Sequence, residues 1–235
     1  YTFGSRTEVV DRTLIKGWLV RGDDGTYSLD TDQVAAYVKE LAMKYDTFGL
    51  SHQFTKHDGS TITLKAGGDY GWCINKTATS DALVQAINDG VAESREPVYL
   101  YTAKSREEND IGGTYVEISI QEQRMWCFKD GSLIVDTPVV TGNVSKGYDT
   151  PAGCVWAIDA KKQDAILKGE GYASPVTFWL PFNGNVGIHD ADRWRSEYGG
   201  DIYLTGGSHG CVNTPYENAE KIFNAVEIGT PVIVY

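Results

Sequence analysis

A chain of 235 residues with 41% hydrophobic residues, six Trp and fourteen Tyr has ample apolar surface for one large or two small packed domains and is not of disordered composition. Its net charge of −11 disfavours a nucleic-acid partner, whose phosphates demand a basic face. No run of about eighteen apolar residues occurs, which excludes a membrane-spanning helix in the sequence shown.

The opening Tyr1-Thr2-Phe3, without Met or signal peptide, is expected to be the start of a piece of a longer protein. Asp30 can cap a helix in which Val34, Val38, Leu41 and Tyr45 recur at helical spacing, with Gly49 as its stop. A strand is predicted over Thr61-Ile62-Thr63-Leu64. Gly67 to Trp72 reads as a turn leading into a short strand through Ile74. Leu83, Val84, Ala86 and Ile87 read as a second helix, opened by Thr77 or Ser80 and closed by Gly90. Val98 to Tyr101 is a further strand. The polar stretch Ser105 to Asp110 reads as a linker, which divides the chain into a module at 1–104 and a domain at 111–235.

From Ile111 the pattern changes to β. Val116, Ile118 and Ile120 alternate with polar neighbours, and Asp130-Gly131 marks a tight hairpin between 125–128 and 133–135. Strands are predicted near 139–141, 154–158, 176–180, 186–189 and 232–235. The fold class is therefore two domains: an N-terminal α+β module and a C-terminal, mainly-β domain, a β-sandwich or open barrel with one or two short helices.

Gly206-Gly207-Ser208-His209-Gly210-Cys211-Val212-Asn213 is the chemically distinctive stretch. A thiol becomes a nucleophile as thiolate, favoured by an imidazole or a helix N-terminus. Thr214-Pro215-Tyr216-Glu217 reads as a capping box opening a helix with Ala219, Ile222, Phe223 and Val226 on one face. Cys211 would then lie near the positive end of that helix. The bland alternative, a buried structural thiol, is disfavoured because the surrounding glycines, Ser208 and Asn213 offer little apolar surface. Cys73, Cys127 and Cys154 sit in strand-like runs and read as buried free thiols, with a disulfide among them left open; no C-x-x-C pair occurs.

His189 followed after eighteen residues by Ser208-His209-Gly210-Cys211-Val212-Asn213 resembles the signature of the L,D-transpeptidases, bacterial cysteine enzymes that cross-link peptidoglycan. The interval is at the long end for that family. Thr114-Tyr115-Val116-Glu117, Val140-Thr141-Gly142, Thr150-Pro151-Ala152-Gly153, His189-Asp190-Ala191, Trp194-Arg195 and Gly229-Thr230-Pro231-Val232 extend the resemblance over about the second half of the chain. Tyr70-Gly71-Trp72 with Ile74 and the helix after them resemble, less specifically, the peptidoglycan-binding module that precedes some members' catalytic domains. Trp72 and Tyr70 could equally be packing residues.

The resemblance implies a tetrapeptide peptidoglycan stem as donor, a thioester on Cys211, and a second stem's amine as acceptor, giving a 3→3 cross-link. Carbapenem β-lactams would acylate the same thiol. Water as acceptor would make an L,D-carboxypeptidase. The resemblance further implies an extracytoplasmic place at the cell wall, with a membrane anchor on a segment absent from this sequence.

In this reading Cys211 is the nucleophile and His189 the base that draws it toward thiolate, because His189 ends a probable rigid strand whereas His209 shares the tight loop. Ser208, the Asp190 carboxylate or a nearby carbonyl would orient His189. The N–H groups of Gly210 and Cys211 would form an oxyanion hole, each worth about 3 kcal/mol. His209 and Asn213 shape the loop, and Trp194, Arg195 and Asn213 form its substrate-binding edge. Arg195 would meet a substrate carboxylate or pair with Glu197 or Asp192. No cofactor is called for. A zinc site from His189, His209 and Cys211 is the rival chemistry, without an H-E-x-x-H pair; a non-catalytic wall-binding protein with inert Cys211 is the other alternative.

Overall fold

The computed structural model describes residues 1–107, 109–169 and 172–235. These form two units, one of residues 1–48 with 71–110, the other of residues 49–70 with 111–235. Residues 49–70 thus go with the second unit and not with the stretches on either side of them in sequence.

The chain begins with the hairpin β1 (Thr2–Phe3) and β2 (Arg6–Thr7), then α1 (Arg12–Gly17), the hairpin β3 (Leu19–Arg21) and β4 (Tyr27–Leu29), and α2 (Thr31–Tyr45). Asp30 caps α2, accepting from the N–H groups of Asp32 and Gln33, and Val34, Val38, Leu41 and Tyr45 are its buried face. The helix stops at Tyr45, before Gly49, because Asp46 turns extended and its carboxylate accepts the Ile74 N–H at 2.9 Å. The next hairpin, β5 (His52–Thr55) and β6 (Thr61–Leu64), belongs to the second unit. The first unit resumes with β7 (Cys73–Ile74), α3 (Lys76–Asn88) and β8 (Tyr99–Tyr101). Asn75, not Thr77 or Ser80, caps α3, through Oδ1 to the Ala78 N–H. Phe3, Trp18, Ile74 and Leu83 complete this unit's core with the face of α2.

Of the stretch expected as a linker, residue 108 lies outside the described residues, and Arg106 is packed rather than open. The Arg106 guanidinium lies over the rings of Trp72, Phe3 and Tyr99, 4.6–5.3 Å from their centroids, and donates to Tyr45 O. Such cation–π packing on several faces holds the stretch down despite its polarity. Trp72 and Tyr70 are buried, 9% and 2% exposed, and Trp72 Nε1 donates to Ser105 O; both are packing residues rather than open platforms.

In the second unit β9 (Tyr115–Ser119), β10 (Arg124–Lys129), β11 (Ser132–Pro138), β12 (Val155–Ala157), β13 (Lys162–Gly169), β14 (Tyr172–Asn183) and β15 (Val186–Asp190) are followed by α4 (Ile202–Gly206), β16 (Val212–Thr214), α5 (Tyr216–Ala225) and β17 (Pro231–Val234). They build a five-stranded sheet, β11-β10-β9-β17-β12, and a four-stranded sheet, β13-β14-β15-β16. Val116, Ile118, Met125 and Val135 from the first sheet, Phe178, Leu180, Ile188 and Val212 from the second, and Ile222 and Phe223 from α5 share one core. Burying alternate residues of both sheets in this way is the sandwich solution. Asp130 and Gly131, both at positive φ, make the predicted tight turn. Residues 139–141 form no strand. Val140 instead makes a single bridge to Asn213.

The β5–β6 hairpin covers the outer face of the five-stranded sheet. His57 stacks on Trp126 at 3.5 Å and donates its backbone N–H to buried Glu117; Phe54 meets Tyr115 edge-on. Gly68 lies so close to Val155 that a Cβ there would sit 1.9 Å from Val155 O. These contacts explain why 49–70 separate from the rest of the first half. All four cysteines are free; Cys127 is buried, whereas Cys73 and Cys154 are half-buried. Among the described residues no helix is long and apolar enough to cross a membrane.

Candidate active site

The site is built on the parallel pair β15 and β16, in which Ile188 faces Val212, His189 faces Asn213 and Asp190 faces Thr214. Strand alternation sends Ile188 and Val212 into the core and leaves His189 and Asn213 together on the opposite face. Asn213 is clamped from its other side by a pair of backbone bonds with Val140, at 2.9 and 3.0 Å. Cys211 stands immediately before β16. Together with Ser208, His209, Trp194, Arg195 and Gly207 these residues line a cavity of about 450 Å³.

His189 is 3% exposed. Its Nδ1 lies 2.9 Å from Asp190 O and its Nε2 lies 3.3 Å from Asn213 Nδ2. The orienting group is thus a backbone carbonyl, that of Asp190 itself. The Asp190 carboxylate accepts instead from the N–H groups of Thr177 and Phe178, at 2.7 and 2.8 Å. Ser208 does not bond His189 either: its hydroxyl donates to Cys211 O and accepts from the Gly210 N–H, fixing the loop. Thr150 holds the same loop by donating to Gly210 O at 2.7 Å. Gly210 has φ +107, which favours glycine, and a Cβ there would crowd the Val186 side chain at 3.1 Å.

Burial pushes the Cys211 thiol up to about 11, against which a backbone N–H from Gly187 works only partly. Sγ donates weakly to Asn185 O at 3.5 Å. His189 is held below its ordinary value, first by burial and also by the charge of Arg195, with Asp190 working in the opposite direction. Burial thus works against both charged forms, and so against the thiolate–imidazolium pair expected from sequence. The expected helix assistance is also absent. The strand β16 intervenes, three residues of roughly 3.3 Å each, and the macrodipole acts only within about a turn. α5 is entered through Pro215 without a side-chain cap; Thr214 donates to Val212 O, and the Tyr216 N–H is taken up by Asp192 at 2.6 Å.

Of the two expected oxyanion donors, the Gly210 N–H is engaged by Ser208 at 3.1 Å. His209 packs against Tyr148, ring centroids 4.7 Å apart. Trp194 approaches the His189 ring at 5.9 Å. Arg195 makes no ion pair with Glu197 or Asp192 among the described residues; its Nε donates to Asn213 Oδ1 and Nη2 to Gly206 O, both at 3.0 Å. Among the described residues no three His, Cys, Asp or Glu side chains converge as a metal site, so His189, His209 and Cys211 are not arranged as zinc ligands.

Residues 113–234 match the YkuD family, the L,D-transpeptidase catalytic domain. The chain belongs to the L,D-transpeptidases. It is similar over 100% of its length to the crystal structure of a cysteine-to-serine mutant of Enterococcus faecium L,D-transpeptidase, at 37% identity, with a TM-score of 0.79 and 94% of that chain covered. It is also similar, over 94% of its length, to the avibactam carbamoyl enzyme of Ldtfm, at 39% identity, with a TM-score of 0.75 and 86% of that chain covered. No curated protein matches the chain.

This L,D-transpeptidase also has cavity residues that the sequence reading missed: Trp179, Asn185, and Ile166, Leu167 and Lys168 of β13 with Ser174 of β14. Trp179 pairs with His189 only through a register shift between Pro181 and Asn183, which the Asn183-Gly184-Asn185 turn does not announce, and its ring flanks the imidazole at 5.9 Å. The strand β13 carried no signal, since its polar and apolar residues do not alternate cleanly and it is an exposed edge.

Proposed function

We propose that this L,D-transpeptidase cross-links peptidoglycan stems through a thioester on Cys211. The observation that carries the reading is the shared placement of Cys211 and His189 in one cavity, with His189 Nδ1 2.9 Å from Asp190 O, an acceptor that calls for the ring proton on Nδ1 and leaves Nε2 as the base. In the acylation half, Sγ attacks the carbonyl of the third residue of a tetrapeptide donor as Nε2 takes the thiol proton. The C–N bond to the terminal residue breaks, and His189 returns that proton to the departing amine. In the second half an acceptor stem's amine loses a proton to Nε2 and attacks the thioester. The S–C bond breaks, sulfur recovers the proton, and a 3→3 link results.

A half-buried thiol whose ionisation is disfavoured suits this order of events. The proton leaves only when substrate is in place, and no standing thiolate is exposed to oxidants. The oxyanion would draw on the Cys211 N–H and on the Gly210 N–H once Ser208 releases it, where each donor is worth about 3 kcal/mol. The relative solved as an avibactam carbamoyl enzyme supports acylation by strained acyl donors, carbapenems among them. The substrate places the enzyme's work at the cell wall.

The test is the mass of the products formed from disaccharide-tetrapeptide, with and without an acceptor stem and with EDTA. A cross-linked dimer that survives EDTA and vanishes in Cys211→Ala is the expected result. A tripeptide alone would replace transpeptidation by hydrolysis at the same site, chelator-sensitive turnover would require a metal mechanism, and no product from either form would leave a binding protein.

A further inference from the structure

A side-chain amide has two ends that only its partners can tell apart, whereas a guanidinium donates and never accepts. Arg195 Nε, 3.0 Å from Asn213, can therefore face only the oxygen end of that amide. The NH2 end is then turned to the opposite side, where it lies 3.3 Å from His189 Nε2. That contact is a hydrogen bond only if Nε2 carries a lone pair. The other ring nitrogen, Nδ1, lies 2.9 Å from Asp190 O, which only accepts. A donor-only group at one end of the chain of bonds and an acceptor-only group at the other thus demand the same tautomer.

We propose that Arg195 is a positioning residue of the transfer reaction: acting through Asn213, it keeps Nε2 of His189 unprotonated at rest, while the Asp190 carbonyl holds the proton on Nδ1. Once Nε2 accepts the thiol proton, two donors face each other across the Asn213 contact. The imidazolium is then short-lived and gives its proton readily to the departing amine. Removing Arg195 frees the amide to turn over, and its oxygen would then stabilise a protonated Nε2.

The groups facing His189 are consistent with this. Asp190, its neighbour on β15, has its carboxylate committed to two backbone N–H groups. From the elements around the cavity come Arg195, Cys211, His209 and Lys168, none of them anionic at rest. Trp179 and Trp194 flank the ring. Burial and the Arg195 charge both oppose protonation, in the same direction as the Asn213 amide.

The inference rests on the reading of His189 as base, but its first test uses no substrate. Nitrogen-15 NMR of histidine-labelled full chain should show His189 with Nδ1 protonated and Nε2 bare, titrating below the ordinary 6.5. Arg195→Met should keep the proton on Nδ1, which Asp190 O still holds, but raise the midpoint toward or above 6.5, and Arg195→Lys, still cationic and donor-only, should restore the low midpoint in part. In turnover, Arg195→Met should lower kcat by about 10–10²-fold, the scale of small misplacements at a reacting centre, with KM for the donor stem little changed. An unchanged His189 midpoint in Arg195→Met, or a raised KM with kcat intact, would overturn the proposal, the latter in favour of a carboxylate-binding arginine. If Arg195→Met does not fold, Asn213→Asp decides. A carboxylate keeps the Arg195 contact and offers Nε2 an acceptor, so the His189 midpoint must rise, and a midpoint that stays at or below the wild-type value overturns the proposal. Failure of the cross-linking assay leaves these titrations untouched, so the two readings fail separately.

Discussion

His189 and Asn213 occupy one register position on the parallel strands β15 and β16, and their side chains meet with 3.3 Å between Nε2 and Nδ2. The base is therefore held by sheet geometry, whereas His209 belongs to the loop and packs on Tyr148. From this follows a separation of the two histidines. Alkylation of Cys211 by iodoacetamide in the wild type should proceed near neutral pH with base assistance. In His189→Gln it should shift to higher pH and rise only as the thiol itself ionises, and turnover should fall by at least ~10²-fold, the usual scale for losing a general base. His209→Gln should keep a near-wild-type alkylation profile while impairing turnover by disturbing the loop. The reverse assignment of effects would place the base on His209.

The same buried histidine makes stability depend on pH. His189 is pushed below 6.5 in the folded protein, so the unfolded chain binds the proton first. Its contribution is present above 6.5 and is lost as pH falls through the lower folded value. Thermal melts should therefore show the wild type losing more stability than His189→Gln between about pH 7.5 and 5. Parallel slopes for the two proteins would show that the imidazole is not buried as neutral base.

Gly210→Ala should cost roughly 1–3 kcal/mol of strain, because φ is +107 and the new Cβ would sit 3.1 Å from Val186. It should also displace the Cys211 loop and abolish most of the turnover. Gly59→Ala, at φ +84 with open space around it, is the control: a smaller loss of stability and normal activity. Equal activity losses in both would mean that the loop conformation does not matter to the chemistry.

Glu117 is fully buried and accepts from the His57 N–H at 3.0 Å, His57 Nδ1 at 2.8 Å and Tyr235 Oη at 2.6 Å. Glu117→Gln keeps the shape but turns a donor toward these donors, which should cost about 1–3 kcal/mol. Chemical denaturation should show this loss while the rate of Cys211 alkylation per folded molecule stays unchanged. A variant as stable as wild type would mean that the β5–β6 hairpin is not tied down through this carboxylate.

The residues proposed to be catalytic could be nominated from the sequence because their chemistry is local, a thiol among glycines and a histidine ending an apolar run, and the helix face at 219, 222 and 223 was legible from its spacing. The β pattern of residues 115–135 was legible through alternation and the Asp130-Gly131 turn. What sequence did not reveal depends on long-range packing. Residues 49–70 look like part of the first module, but Gly68 and His57 seat them on the five-stranded sheet. Residues 105–110 look like a linker, but Arg106 is held over three rings. Arg195 offered a charge whose partner could be a substrate or an acid, and only the fold brings Asn213 and Gly206 O to it. The helix at 216 misled for a local reason, since Thr214 is the last residue of β16 and its hydroxyl turns back to Val212 O.

The central claim is that Cys211 is the acyl-carrying nucleophile, and the most direct measurement is the intact mass of the protein after incubation with a carbapenem, followed by peptide mapping. The account predicts one stable adduct, located on Cys211, formed equally with and without EDTA and absent in Cys211→Ala. No adduct on the wild type, or an adduct that persists in Cys211→Ala, would contradict it.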